Sequence, residues 1–88
     1  MKDLNEIRKD INRIDRELVK LFRERMDCSK AVAEYKKENG IPIFNEQREN
    51  EILDKVFEEG GEYGEYAREL YKEIMRLSRE LQHRASDV

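Results

Sequence analysis

The chain has 88 residues, 44% of them charged, with a net charge of −3 and a mean hydropathy of −1.02. This length supports one domain, spanning residues 1–88; the acidic balance argues against a nucleic-acid partner, and no apolar run approaches membrane-spanning length. The start, Met1-Lys2-Asp3-Leu4-Asn5-Glu6, is too polar for a signal peptide, and a single cysteine cannot close an intrachain disulfide, so the expected location is the reducing cytoplasm.

High charge combined with periodic apolar residues and only one Pro predicts helices laced with surface charge rather than disorder. The first helix is expected from about Leu4 to Lys37. Its apolar residues are Leu4, Ile7, Ile11, Ile14, Leu18, Leu21, Cys28, Val32 and Tyr35, in the steps of three and four that mark one helical stripe. Asp3 or Asn5 caps its start, and Asn39-Gly40 ends it. Such a helix is about 50 Å long, whereas a compact domain of this size is only about 30 Å across. The part carrying Leu4, Ile7, Ile11 and Ile14 therefore needs an outside partner, and a second copy is the commonest one. Cys28 reads as a small buried hydrophobe.

Ile41-Pro42-Ile43-Phe44 is an extended connector, because a residue preceding Pro avoids the helical region. Asn45 caps a second helix, with Glu46 favourable in its first turn and Ile52, Leu53, Val56 and Phe57 on its apolar face. Gly60-Gly61 stops it, and Gly64 lies in the following loop. A third helix is expected from about Glu65 to Arg84, with Tyr66, Ala67, Leu70, Tyr71, Ile74, Leu77 and Leu81 inward. No segment alternates with period two, so the expected class is all-α: one long helix and two shorter ones.

Several polar residues interrupt these apolar faces. Arg25 fills the stripe position between Leu21 and Cys28, and a guanidinium there requires either an acidic partner in the fold, such as Glu49, or an anionic ligand. Lys36 lies eleven positions on, almost three turns, and points the same way, with Ser29 and Val32 between them. Arg48 and Glu49 stand one turn before Ile52, and Ser78 and Gln82 are one turn apart beside Leu77 and Leu81. Each has a plain structural use: Lys36 at a helix C-terminus, Arg48 and Glu49 as surface charges, Ser78 bonded to its own helix, Gln82 at a fraying end. Together they make one inward polar cluster that is expensive without a ligand. His83 reads as a surface residue. The cluster holds no nucleophile–base set, no glycine-rich phosphate loop and no metal-ligand pattern, so an enzyme built on it works by fixed charges and hydrogen bonds, with neither metal nor cofactor.

The ordered set Arg8, Arg25, Lys36, Arg48, Glu49, Ser78 and Gln82 resembles the all-helical class of chorismate mutase over essentially the whole chain. The opening Ile7-Arg8-x-x-Ile11-x-x-Ile14-Asp15-x-x-Leu18, the pair Glu24-Arg25, and Gly40-Ile41-Pro42-Ile43 leading to Arg48-Glu49 are similar to that family. The resemblance implies an intertwined homodimer whose long helices pair and whose active sites are shared. It also implies rearrangement of chorismate to prephenate, toward phenylalanine and tyrosine. By it, Arg25 and the second copy's Arg8 hold the two substrate carboxylates, with Arg48 adding charge at one of them. Lys36 and Gln82 donate to the ether oxygen, Ser78 lies near a carboxylate, and Glu49 accepts from the ring hydroxyl with help from the backbone near Asn45. Many members carry Asp at the position of Asn45: either a backbone contact dominates there and Asn serves, or the missing carboxylate weakens hydroxyl recognition. Arg8 and Lys36 are about 42 Å apart along one straight helix, so they cannot touch one small molecule from one chain. Two other readings remain: a non-enzymatic helical dimerisation or adaptor module using the stripe as a coiled-coil seam, and a related helical enzyme, either a mutase acting on isochorismate or an isochorismate-acting lyase of similar fold.

Overall fold

In a computed structural model, residues 2–86 are described; positions 1, 87 and 88, the ends of the expected domain, lie outside it. The described residues form three α-helices: α1 (Leu4–Glu38), α2 (Glu46–Glu59) and α3 (Gly64–Ser86). A short 3-10 turn, Gly61–Tyr63, joins the last two.

The local chemistry sets these boundaries. Asp3 caps α1, its carboxylate accepting from the Glu6 backbone N–H at 2.9 Å. At the other end the Gly40 N–H reaches the Lys37 carbonyl and the Ile41 N–H reaches the Lys36 carbonyl at 2.8 Å, with Gly40 at a φ of 64°. This paired closure satisfies the last carbonyls and needs the left-handed backbone that glycine adopts freely. Asn45 caps α2, its side-chain oxygen accepting from the Arg48 N–H at 3.0 Å. On the solvent side of α3, Arg76 pairs with Glu73 and Glu80, and Arg84 with Glu80. The hydrogen bond from Arg76 holds the Glu73 carboxyl below its usual range, and in return raises the Arg76 guanidinium.

α3 packs against both α1 and α2, which do not pack on each other. The turn between α2 and α3 is close enough to exclude a side chain: a Cβ on Gly64 would lie 2.3 Å from the Phe57 carbonyl oxygen. Gly64, expected in the loop, is therefore the first residue of α3 and is buried. Beside it the Arg68 guanidinium stands 4.2 Å from the centre of the Phe57 ring.

The molecule measures 55 × 26 × 14 Å, with a radius of gyration of 16.2 Å, against about 12 Å for a compact domain of this length. α1 alone has 35 residues and spans the long dimension. Leu4, Ile7, Ile11, Ile14, Leu18 and Leu21 are between 42% and 59% exposed, so the N-terminal half of the stripe has no cover from its own chain. Among the described residues the buried hydrophobic side chains are Ala33 and Met75 alone.

Three details differ from the sequence reading. Cys28, expected as a small buried hydrophobe, is exposed, because α3 meets α1 along the Ser29 and Ala33 side instead. Tyr66 and Leu70, expected inward, are 74% and 55% exposed, since nothing in this thin chain reaches the face they occupy. Met75, absent from the expected inward set, is buried: with Ser78 and Gln82 it forms the line of α3 that is most enclosed. Among the described residues no helix is long and apolar enough to cross a membrane.

Replacing Gly64 by Ala places a methyl group against backbone rather than against a movable side chain. Gly64→Ala is expected to cost about 2 kcal/mol of unfolding free energy, read from denaturant titration; a loss below about 0.5 kcal/mol would show that the α2–α3 turn relaxes freely.

Candidate active site

The sequence places cations and amides at helical spacing on separate segments, and the three-helix arrangement turns them toward one space. A cavity of about 320 Å³ is lined from α1 by Arg25 and Lys36, from the cap and first turn of α2 by Asn45, Arg48 and Glu49, and from α3 by Ser78 and Gln82. That volume suits a small organic ligand. Arg8 is not among its walls; by helical rise it sits about 26 Å along α1 from Arg25.

Arg25 has no carboxylate partner among the described residues, so the internal salt bridge to Glu49 does not form. Its guanidinium stands 5.8 Å from the centre of the Tyr71 ring. Lys36 is half-buried and donates to the Ile43 carbonyl at 2.7 Å, which ties the connector to the end of α1 and leaves two of its three hydrogens for other acceptors. Arg48, exposed at the mouth, has no ion pair among the described residues either. Glu49 pairs with Arg79, one residue beyond Ser78, across the gap between α2 and α3. The Asn45 side-chain oxygen is already engaged by the Arg48 backbone, so its part at the site is first to set the start of α2.

The deepest wall is polar. Ser29, Ser78 and Gln82 are 6%, 6% and 8% exposed. The Ser29 and Ser78 hydroxyls are 2.7 Å apart, joining α1 to α3, and the Gln82 amide NH2 donates to the Ser78 hydroxyl at 3.1 Å. Ser29 also donates to the Arg25 carbonyl at 3.2 Å. The other end of that amide, Oε1 of Gln82, is buried with no hydrogen-bond partner among the described residues. A buried polar atom left unsatisfied costs about 1–3 kcal/mol, which a ligand that engages the amide can recover. Among the described residues no group of His, Cys, Asp and Glu is placed to hold a metal ion. The site therefore offers fixed cations, one carboxylate and a short hydroxyl–amide chain.

The sequence reading did not assign Arg79 or Cys28 to the site, although both line the cavity. Arg79 was legible only through its neighbour: three residues before Gln82, it flanks the inward line, but its partner on α2 is set by tertiary packing.

A family model described as chorismate mutase type II matches residues 7–83. A bifunctional chorismate mutase/prephenate dehydratase of Aquifex aeolicus is 41% identical over 56 residues, which are 64% of this chain and 16% of the relative. A chorismate mutase of Methanocaldococcus jannaschii is 47% identical over 53 residues, 60% of this chain and 54% of the relative. A T-protein of Haemophilus influenzae is 36% identical over 53 residues, 60% of this chain and 14% of the relative. The matched stretch is thus about half of the second relative's length and a small part of the other two. No solved structure matches the chain significantly.

A cation with no internal counter-charge contributes little to the fold. Arg25→Met keeps the alkyl stem near Tyr71 and is expected to leave the unfolding free energy within about 1 kcal/mol of the parent, or to raise it. A loss beyond about 2 kcal/mol in denaturant titration would mark Arg25 as a structural charge.

Proposed function

The chain belongs to the chorismate mutase type II family, and on that footing we propose that it converts chorismate to prephenate in the synthesis of phenylalanine and tyrosine. One observation carries the reading. Arg25, Lys36 and Arg48 border a single cavity with no carboxylate partner among the described residues, in a chain whose net charge is negative. Such an arrangement suits an anionic guest, and chorismate is a compact dianion.

The rearrangement is pericyclic: one C–O bond breaks while one C–C bond forms, and no proton is transferred. The protein needs to hold the enol-ether side chain over the ring and to stabilise charge on the ether oxygen as C–O cleavage runs ahead. Arg25 and Arg48 serve the first need by fixing the carboxylates, an orientation effect. Lys36, with two hydrogens unspent, serves the second. Gln82 serves it by a half-turn of its amide: Ser29 then donates to Ser78 instead of to the Arg25 carbonyl, Ser78 donates to Oε1, and the NH2 group takes the unsatisfied position, facing the ether oxygen. Ser78 remains within the same chain of hydroxyls, near a carboxylate. Glu49 is the one anionic group in the wall, and the ring hydroxyl is the neutral donor that suits it.

The functional unit in this proposal is an intertwined homodimer with shared sites. The support is the uncovered stripe from Leu4 to Leu21 and the scarcity of buried hydrophobic side chains in one copy. Arg8, remote from the cavity of its own chain, then reaches the cavity of the second copy and completes the dianion site. A cytoplasmic location fits the free thiol of Cys28 and belongs to the same proposal.

Loss of chorismate absorbance measures the activity. Lys36→Ala and Gln82→Ala are each expected to lower kcat by about 100-fold or more while the helical content is retained. Near-normal turnover in either variant removes that residue from its role. Sharing is tested by mixing Arg8→Ala and Lys36→Ala chains, each poor alone. A mixed dimer holds one doubly defective site and one intact site, so activity is expected to recover on subunit exchange. Exchange without recovery argues for sites built from single chains.

A further inference from the structure

We propose that Arg79 is a positioning residue of this site, holding the Glu49 carboxylate so that it recognises the substrate's ring hydroxyl and stays off the cations that bind the carboxylates. The inference rests on the chorismate reading above and concerns a residue which that reading leaves without a role.

Arg79 projects from α3 and donates to Oε1 of Glu49 on α2, thirty positions away in the chain, and both side chains line the cavity. The pair is largely shielded, with side-chain exposures of 30% and 20%. On its other side the Arg79 guanidinium lies 5.4 Å from the centre of the Phe44 ring, so the connector before α2 helps to fix it. The geometry has an electrostatic consequence. Glu49 shares one cavity with four cations, Arg25, Lys36, Arg48 and Arg79. A mobile carboxylate there would fold onto whichever cation it reached and cancel a charge meant for the dianion. Arg79 removes that freedom: it occupies one carboxylate oxygen and leaves the second, in a fixed direction, to accept a neutral donor. Arg25 and Arg48 keep no carboxylate partner among the described residues, and Lys36, bonded to the Ile43 carbonyl, keeps two of its three hydrogens. An ion pair that only tied α2 to α3 would add stability without altering which ligand is preferred.

The test compares turnover of chorismate with turnover of the analogue in which the ring hydroxyl is replaced by hydrogen. In Arg79→Ala and Arg79→Gln the ratio of the two kcat/KM values is expected to fall by about tenfold or more, the loss being concentrated on the hydroxylated substrate. Arg79→Lys, which keeps a charge but not the fork, is expected to restore part of the ratio. In a Glu49→Ala background the ratio is already low, and adding Arg79→Ala is expected to lower it little further. Equal losses on both substrates in the folded variants, or an unaltered ratio, would overturn the inference; Arg79→Gln decides the matter should Arg79→Ala fail to fold. A parent chain inert on chorismate overturns the activity and this role together. A parent that is active, with a ratio indifferent to Arg79, overturns this role alone.

Discussion

Everything in this molecule follows from a helix that outreaches its own domain. α1 has 35 residues, α3 has 23, and of the two shorter helices only α3 packs against it. Its C-terminal half meets α3 through Ser29 and Ala33 and forms a wall of the cavity, while its N-terminal half carries bare leucine and isoleucine side chains. The two halves therefore answer to different constraints. One borders a polar cavity, the other faces the free-energy cost of leaving apolar surface in water, about 25 cal/mol for each Å².

The interior of a single copy is unusual in the same sense. Of the buried side chains among the described residues, Ala33 and Met75 are apolar, whereas Ser29, Ser78 and Gln82 are polar and linked in one chain. Such a core contributes little hydrophobic stabilisation and leaves an amide oxygen unsatisfied. At the cavity, Arg25 and Arg48 have no carboxylate partner among the described residues. On the proposed function, an anionic, hydrogen-bonding guest would answer both features.

Fold and site were legible to different degrees. The caps Asp3 and Asn45, the stop at Gly40 and the three helical stretches could be read because each depends on a few neighbouring residues. The polar positions Arg25, Lys36, Ser78 and Gln82 could be read because a charge or amide breaks an apolar stripe whatever it faces. Met75 was missed, and Tyr66 and Leu70 were placed inward, because hydrophobicity marks a face as apolar without naming its partner. The Glu49–Arg79 pair was missed for the same kind of reason: one of many Glu and Arg residues finds its counterpart only after α2 folds back on α3.

By itself the sequence determined the helices, their ends, and which residues are too polar for the faces they occupy, because backbone hydrogen bonding and periodicity act over a few residues. It also fixed that the first helix is too long to be enclosed by its own chain, which is a matter of rise per residue. The tertiary structure alone decided that Arg25 has no acidic partner among the described residues and that Glu49 is given to Arg79. It likewise left one end of the Gln82 amide without a partner among the described residues. These outcomes depend on the approach of segments some thirty or more residues apart, which no local pattern encodes.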